Sequence, residues 1–309
     1  MSEAYIVDAV RTPFTSVRGG LLAKMQPIDL LVPLVSALIE RNKVDPNGVD
    51  QVLIGTAFPE AEQGFNIARM TVLHPKSGLP ITTAGSVVST FCTSSLNTID
   101  YADSLIKTGK ADIVFAGGVE MMSRIPMGGF NFAVHNDVSD RFPPNYFNMG
   151  TTAENLVEKY GITPQAQAEF AVESHKKAFA AQQAGLFAGR IIPISGVSQE
   201  DCIRAGTSVE AILKLSPAFK KVGGSVNAGN ASPTTDGASL VMLASEHAVK
   251  QFGLTPIMKV ISSGEVGVSP EIMGIGPVLA SEQARLRASW ALDRQNLMGM
   301  NEIDHLEIN

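Results

Sequence analysis

The sequence is poor in cysteine, in net positive charge and in long apolar runs. Two cysteines among 309 residues cannot build a disulfide framework, and with twelve methionines they fit a reducing compartment. No apolar run approaches the roughly 20 residues of a membrane helix. The opening stretch MSEAYIVDAV has no basic segment and no cleavable apolar core, so nothing there reads as a secretory signal. A formal net charge of −6 argues against a nucleic-acid surface. Low-complexity tracts and short internal repeats are also missing. What is present, 45% hydrophobic and 17% charged residues, is enough for a large core and two or more domains.

Strand-like and helix-like runs alternate through the first 120 residues. AYIVDAV (4–10), VDQVLIGTA (49–57), TTAGSVVSTF (82–91) and ADIVFAGG (111–118) read as strands. Between them, PIDLLVPLVSALIERNKV (27–44) repeats Leu30, Leu31, Leu34, Ala37 and Leu38 at helical spacing. Pro33 is read as lying close to the start of that helix, where proline is tolerated. GFNIARMTVLH (64–74) reads as a short helix, and Leu96, Ile99, Ala102 and Ile106 mark one face of another. This order predicts an α/β layer fold with a largely buried sheet. From 122 to about 224 turns and amphipathic helices replace the strands, as expected of an insertion covering a site. The alternation resumes at GASLVMLAS (237–245), with a strand predicted over 257–268, a helix over 277–292 and a last strand over 303–309.

Cys92 lies where a strand runs into a helix. Backbone N–H groups left unpaired at a helix start, and the helix dipole, favour a thiolate. Thr93, Ser94 and Ser95 follow it and are small enough to let a substrate approach. A free cysteine is also one of the most often buried residue types, so the position alone leaves a nucleophile and a core residue open.

The surrounding motifs decide between them. DAVRTPF (8–14), GFNIAR (64–69), TFCTSSL, GGVEMMSRIPM (117–127), MGTTAENLVEKYGI (149–162), NAGNASPTTDGAS (227–239) and MGIGPVLAS (273–281) occur in this order. Together they resemble the thiolase family, acyl-CoA acyltransferases that make or cleave 3-ketoacyl-CoA, over essentially the whole chain. The resemblance implies a thiolase fold: duplicated βαβαβαββ units in α-β-α-β-α layers with an inserted loop domain. It places an N-terminal half at 1–121, completed by about 235–268, a CoA-binding loop domain at 122–234, and the start of a truncated second half at 269–309.

It also implies Cys92 as the nucleophile that carries the acyl group, and Asn309 as a catalytic residue that holds a water in an oxyanion hole. Arg204, Leu215, Phe219, Ala228 and Ser232 fall at positions lining the CoA and pantetheine path, and Met149 at the acyl pocket. The basic stretch around Arg204, Lys214, Lys220 and Lys221 suits CoA phosphates. CoA and acyl-CoA are expected as substrates, with no permanent cofactor and no metal. A cytoplasmic homodimer or homotetramer is expected. Asn148 and Ser95 depart from the short-chain biosynthetic pattern and lean toward a degradative enzyme.

Two motifs of the family are absent from these residues: the GHP histidine that activates the nucleophile, and the C-x-G-x-G second cysteine. His74, His135, His175, His247 and His305 are read as surface or structural, and Cys202 as an incidental thiol. The alternative reading is a catalytically incomplete CoA- or acyl-binding subunit or fragment. A papain-type hydrolase lacks its sequence context. The ending at HLEIN reads as a strand in mid-fold, so a longer natural polypeptide is expected.

Overall fold

The structure, a computed structural model, describes residues 3–308, apart from the side chains at 144 and 145. Contacts divide it into two units. Unit 1 comprises 1–132, 181–203 and 233–260, and unit 2 comprises 133–180, 204–232 and 261–309.

Unit 1 is a mixed sheet with helices on both faces. Its strands are β1 (Ala4–Arg11), β2 (Thr15–Ser16), β3 (Gln51–Gly55), β4 (Ala84–Val88), β5 (Ile113–Met121), β6 (Thr235–Ser245) and β7 (Met258–Lys259). They run in the order β4-β3-β5-β6-β1-β7, with β2 paired to β6. β3 is parallel to β4 and to β5, whereas β6 is antiparallel to β5 and β1. Helices α1 (Pro27–Asn42) and α2 (Ile67–Leu73) cover one face, and α3 (Ser94–Lys107) covers the other. Alternation along the central strand explains the layering. Ile113 and Phe115 of β5 face the α1 core with Leu30, Leu34, Leu38 and Met242. Val114 and Ala116 face the α3 core with Leu53, Ala102, Ile106 and Leu243. Each leucine that α1 buries contributes about 2 kcal/mol by removal from water.

Unit 2 is helical. It holds α4 (Asn136–Arg141), α5 (Met149–Tyr160), most of α6 (Pro164–Gln183), α7 (Val209–Leu213) and α9 (Gly276–Ala291), while α8 (Glu246–Phe252) belongs to unit 1. Ile212 of α7 packs on Ala168 and Val172 of α6.

Four local expectations change. Pro33 stands seven residues into α1, in its second turn, because the helix already starts at Pro27. The strand expected over 257–268 shrinks to Met258–Lys259, paired with Tyr5 and Ile6 of β1, and the Ile257 and Val260 N–H groups on either side donate to the Ile6 and Ala4 carbonyls. Residues 303–308 form no strand among the described residues, and Leu306 and Ile308 are exposed. Local β propensity needs a neighbouring strand to become a ladder. Leu96, expected on the inner face of α3, is 67% exposed, and Ser94 and Thr98 turn inward instead.

Candidate functional site

The first turn of α3 is seated by two glycines. A Cβ at Gly55 on β3 would lie 2.5 Å from the carbonyl carbon of Ser94 and the nitrogen of Ser95, and one at Gly118 on β5 would overlap the Ser95 hydroxyl. Only small side chains fit between this turn and the sheet, so Ser94 and Thr98, not Leu96, face inward. The Thr98 hydroxyl donates to the Ser95 carbonyl at 2.7 Å, with the Gly117 carbonyl 3.2 Å away. The turn begins beyond the carboxyl ends of the parallel strands β3, β4 and β5, where open α/β sheets place their ligand sites.

Cys92 lies in the link from β4 to α3, two residues before Ser94, and is exposed. Its neighbours are held firmly. The Thr90 N–H donates to Ser94 Oγ at 2.9 Å, and the Ser94 hydroxyl donates to the Phe91 carbonyl at 2.5 Å. The Thr93 hydroxyl donates to the Thr90 carbonyl at 2.9 Å, and Asn97 Nδ2 donates to Thr90 Oγ1 at 3.1 Å. Phe91, directly before the cysteine, has a left-handed backbone with φ 53°. For an aromatic residue this costs about 1 kcal/mol or more and persists only where the surroundings impose it. The Phe91 ring meets Phe58 edge-on, with centroids 6.0 Å apart.

A buried polar network braces the same ends of β3 and β5. The Glu120 carboxylate accepts from the Ala57 N–H at 2.7 Å and from Gln63 Nε2 at 2.6 Å. Gln63 is fully buried, and its Oε1 accepts from the Met121 N–H at 2.7 Å. Nearby, Arg124 forks onto Glu62 and holds that carboxyl below its ordinary value.

The six residues expected along the CoA path all belong to unit 2 and are all exposed. Three of them, Met149, Leu215 and Phe219, are large and apolar, 38%, 43% and 44% exposed. Their supports are specific. A Cβ at Gly150 would overlap the Phe219 ring, so glycine lets that ring lie on the first turn of α5. Asn148 caps α5, accepting from the Gly150 N–H at 2.9 Å, which gives this departure from the family pattern a structural role. A Cβ at Gly229 would approach Leu215 Cδ1 to 2.9 Å.

Ala228 sits in a turn closed by two asparagines. The Asn227 N–H donates to Asn230 Oδ1 at 2.7 Å, and the Gly229 N–H donates to Asn227 Oδ1 at 2.9 Å. Asn230 Nδ2 donates to the Ser225 carbonyl at 3.0 Å. Upstream, Glu154 of α5 is buried and accepts from the Ser225 N–H at 2.9 Å and the Val226 N–H at 2.8 Å. At the other end of α7, the Arg204 N–H donates to His175 Nδ1 on α6 at 3.2 Å. Burial first, and the Arg204 charge second, hold the His175 pKa below its ordinary value.

Met149, Leu215, Phe219 and Ala228 are thus linked through α5, α7 and the asparagine turn, with Arg204 tied to α6. Ser232 follows the turn within unit 2, Cys92 lies in unit 1, and Asn309 lies outside the described residues. Glu154, Gln63 and Glu120 were not anticipated from the sequence. The one available signal for Glu120 is a carboxylate inside the apolar run IVFAGGVEM. Among the described residues, no helix is long and apolar enough to cross a membrane, and no three His, Cys, Asp or Glu side chains gather as a metal site.

The sheet with helices on both faces, and a cysteine-bearing link at its carboxyl edge, place the protein in the α/β layer class. Residues 4–247 match the family model described as thiolase, N-terminal domain. The chain belongs to the thiolase family and is an enzyme of the acyltransferase class. It is 37% identical over 312 residues to a 3-ketoacyl-CoA thiolase of Marinobacter nauticus, covering 97% of this chain and 78% of that one. It is 37% identical over 325 residues to a probable acetyl-CoA acyltransferase of Staphylococcus epidermidis, covering 98% and 81%. The crystal structure of the Bacillus anthracis acetyl-CoA acetyltransferase superposes with a TM-score of 0.83 at 34% identity, covering 95% of this chain and 78% of that one.

Proposed function

We propose that the protein transfers acyl groups between CoA thiols through a thioester on Cys92. In the degradative direction, the Cys92 sulfur attacks the 3-keto carbon of a 3-ketoacyl-CoA. The bond between the 2- and 3-carbons breaks, its electron pair takes a proton, and acetyl-CoA leaves. The shortened acyl group remains on sulfur, and the thiol of a second CoA removes it as acyl-CoA while Cys92 regains a proton. The reverse sequence condenses two acyl-CoA molecules. The observation that carries this reading is the exposure of Cys92 ahead of α3, on a link held by Thr90, Thr93 and Ser94, in a chain of this family.

Arg204 meets the CoA phosphates, and Leu215, Phe219, Ala228 and Ser232 line the pantetheine path, with Met149 at the acyl group. Asn309 holds the oxyanion water. Residues 122–234 serve as the CoA-binding domain, residues 1–121 with 235–268 as the first α/β half, and 269–309 belong to the second half. The protein works as a cytoplasmic homodimer or homotetramer on CoA substrates, with no permanent cofactor.

The alternative is a CoA- or acyl-binding chain that does not turn over. It is favoured by one observation: no described histidine hydrogen-bonds Cys92, and the Nδ1 atoms of His74, His135 and His175 accept from backbone N–H groups. Intact mass measured before and after acetoacetyl-CoA separates the two. One acetyl group mapped to Cys92, lost in Cys92→Ala, together with acetyl-CoA formed over many turnovers, supports the transferase. Binding of CoA with no adduct supports the alternative, and neither signal would sink both.

A further inference from the structure

Glu154 is a buried carboxylate that forms no ion pair among the described residues. Lys220, which reaches the same helix, pairs instead with Glu158, one turn along. Burying a carboxylate is costly unless hydrogen bonds replace its water. Here the donors come from one short stretch 71 residues away in sequence. Oε1 accepts from the Ser225 and Val226 N–H groups at 2.9 and 2.8 Å, and Oε2 lies 3.2 Å from the Ser225 nitrogen and 3.4 Å from its hydroxyl. Bonds of this kind are stronger and more directional than neutral ones.

The stretch they fix has no regular secondary structure from 222 to 234. It leads directly into the asparagine turn that presents Ala228, and then to Ser232. The Val226 carbonyl also accepts from the Ala218 N–H at 2.9 Å, next to Phe219. At its far end the helix carrying Glu154 presents Met149 and supports Phe219 at Gly150. A single carboxylate therefore joins the helix under the proposed acyl and ring contacts to the segment under the proposed pantetheine contacts.

We infer that Glu154 is a positioning residue for the pantetheine arm of CoA, setting the place of Ala228 and Ser232 through the Ser225 and Val226 N–H groups. This rests on the CoA reading above. Arg204 hangs from His175 on α6, and α6 meets the clamped stretch separately, through Gln167, which donates to the Ser225 hydroxyl at 2.9 Å, so loss of Glu154 is expected to act on the arm more than on the nucleotide.

The test is calorimetric binding of CoA and of adenosine 3′,5′-bisphosphate, which lacks the arm, to the full chain and its variants. Glu154→Leu removes every acceptor and is expected to weaken CoA roughly tenfold, the size carried by lost charge-assisted hydrogen bonds. Its affinity for the bisphosphate, and the alkylation rate of Cys92, are expected to stay unchanged. Glu154→Gln keeps an oxygen for both backbone N–H groups and is expected to bind CoA within about threefold of the parent. If the leucine variant does not fold, Glu154→Asp, which keeps the charge but withdraws it by one methylene, decides the matter by weakening CoA and not the bisphosphate.

Unchanged CoA affinity in the folded leucine or aspartate variant, or equal losses for both ligands, overturns the inference. Phe219→Ala is the control for the underlying reading. If the parent does not bind CoA, or if this variant binds it as well as the parent, the CoA assignment itself fails. If Phe219→Ala weakens CoA while the Glu154 variants do not, only the role of Glu154 fails.

Discussion

The sheet-bearing unit and the helical unit are held together by different means. In unit 1, alternate residues of β5 and β6 enter two apolar cores, and the positions of β1, β3, β5 and β6 follow from burial. In unit 2 the apolar core is small, Ala168, Val172 and Ile212 with two partners. The segment from 224 to 232 is set instead by Glu154, Asn227, Asn230 and Gln167. Apolar burial is non-directional, whereas hydrogen bonds fix where a backbone lies. The first suits a platform, and the second suits a surface that must meet a ligand with particular atoms.

Substitutions can break or sharpen this contrast. The largest effect is expected from Phe115→Ala, a full truncation in the apolar core of unit 1, at about 3–5 kcal/mol in chemical denaturation. A loss below about 1 kcal/mol would count against burial as the source of order there. Gly55→Ala pushes a methyl group onto the backbone of Ser94 and Ser95. It is expected to cost about 1–3 kcal/mol and to slow acetylation of Cys92, measured by mass spectrometry. Acetylation at the parent rate would mean that the seat of α3 does not control the cysteine.

Asn227→Ala removes the side chain that accepts from Gly229 and donates to the Ile212 carbonyl at 3.2 Å. About 1–2 kcal/mol of stability is expected to go, with a raised KM for CoA and little change in kcat. A fall in kcat alone would contradict a binding role.

The smallest effect is a pH slope from His175. Its folded pKa lies below the ordinary value of 6.5, so the unfolded chain binds the proton more readily. Stability is therefore expected to fall as pH drops from 6.5 toward the lowered folded value, and to be unaffected by this group above 6.5. His175→Asn, which keeps an acceptor for the Arg204 N–H, is expected to flatten that part of the melting-temperature profile. An unchanged slope would show that His175 does not titrate in this window.

The contrast also explains what could be read from the sequence. α1, β3, β5 and the turn after Cys92 carry their own periodicity, so their existence and the prominence of Cys92 were legible. The strand expected over 257–268 was not, because its Ile and Val residues report a local preference while a ladder needs a partner, and among the described residues the bonds to β1 run only from Ile257 to Val260. Leu96 was misplaced because the inner face of α3 is chosen by Gly55 and Gly118, on other strands. Glu154 stayed invisible for a similar reason. A glutamate on an amphipathic helix ordinarily faces water, and nothing beside it announces donors 71 residues further on.

The seat beneath α3 has a consequence for how such a chain can change over generations. The place of the thiol is encoded in part by two positions that carry no side chain at all. A survey of tolerated substitutions would therefore mark Gly55 and Gly118 as nearly as restricted as Cys92 itself. Drift could replace much of the apolar packing by volume-conserving swaps, while at these two places the only inherited instruction is to remain empty.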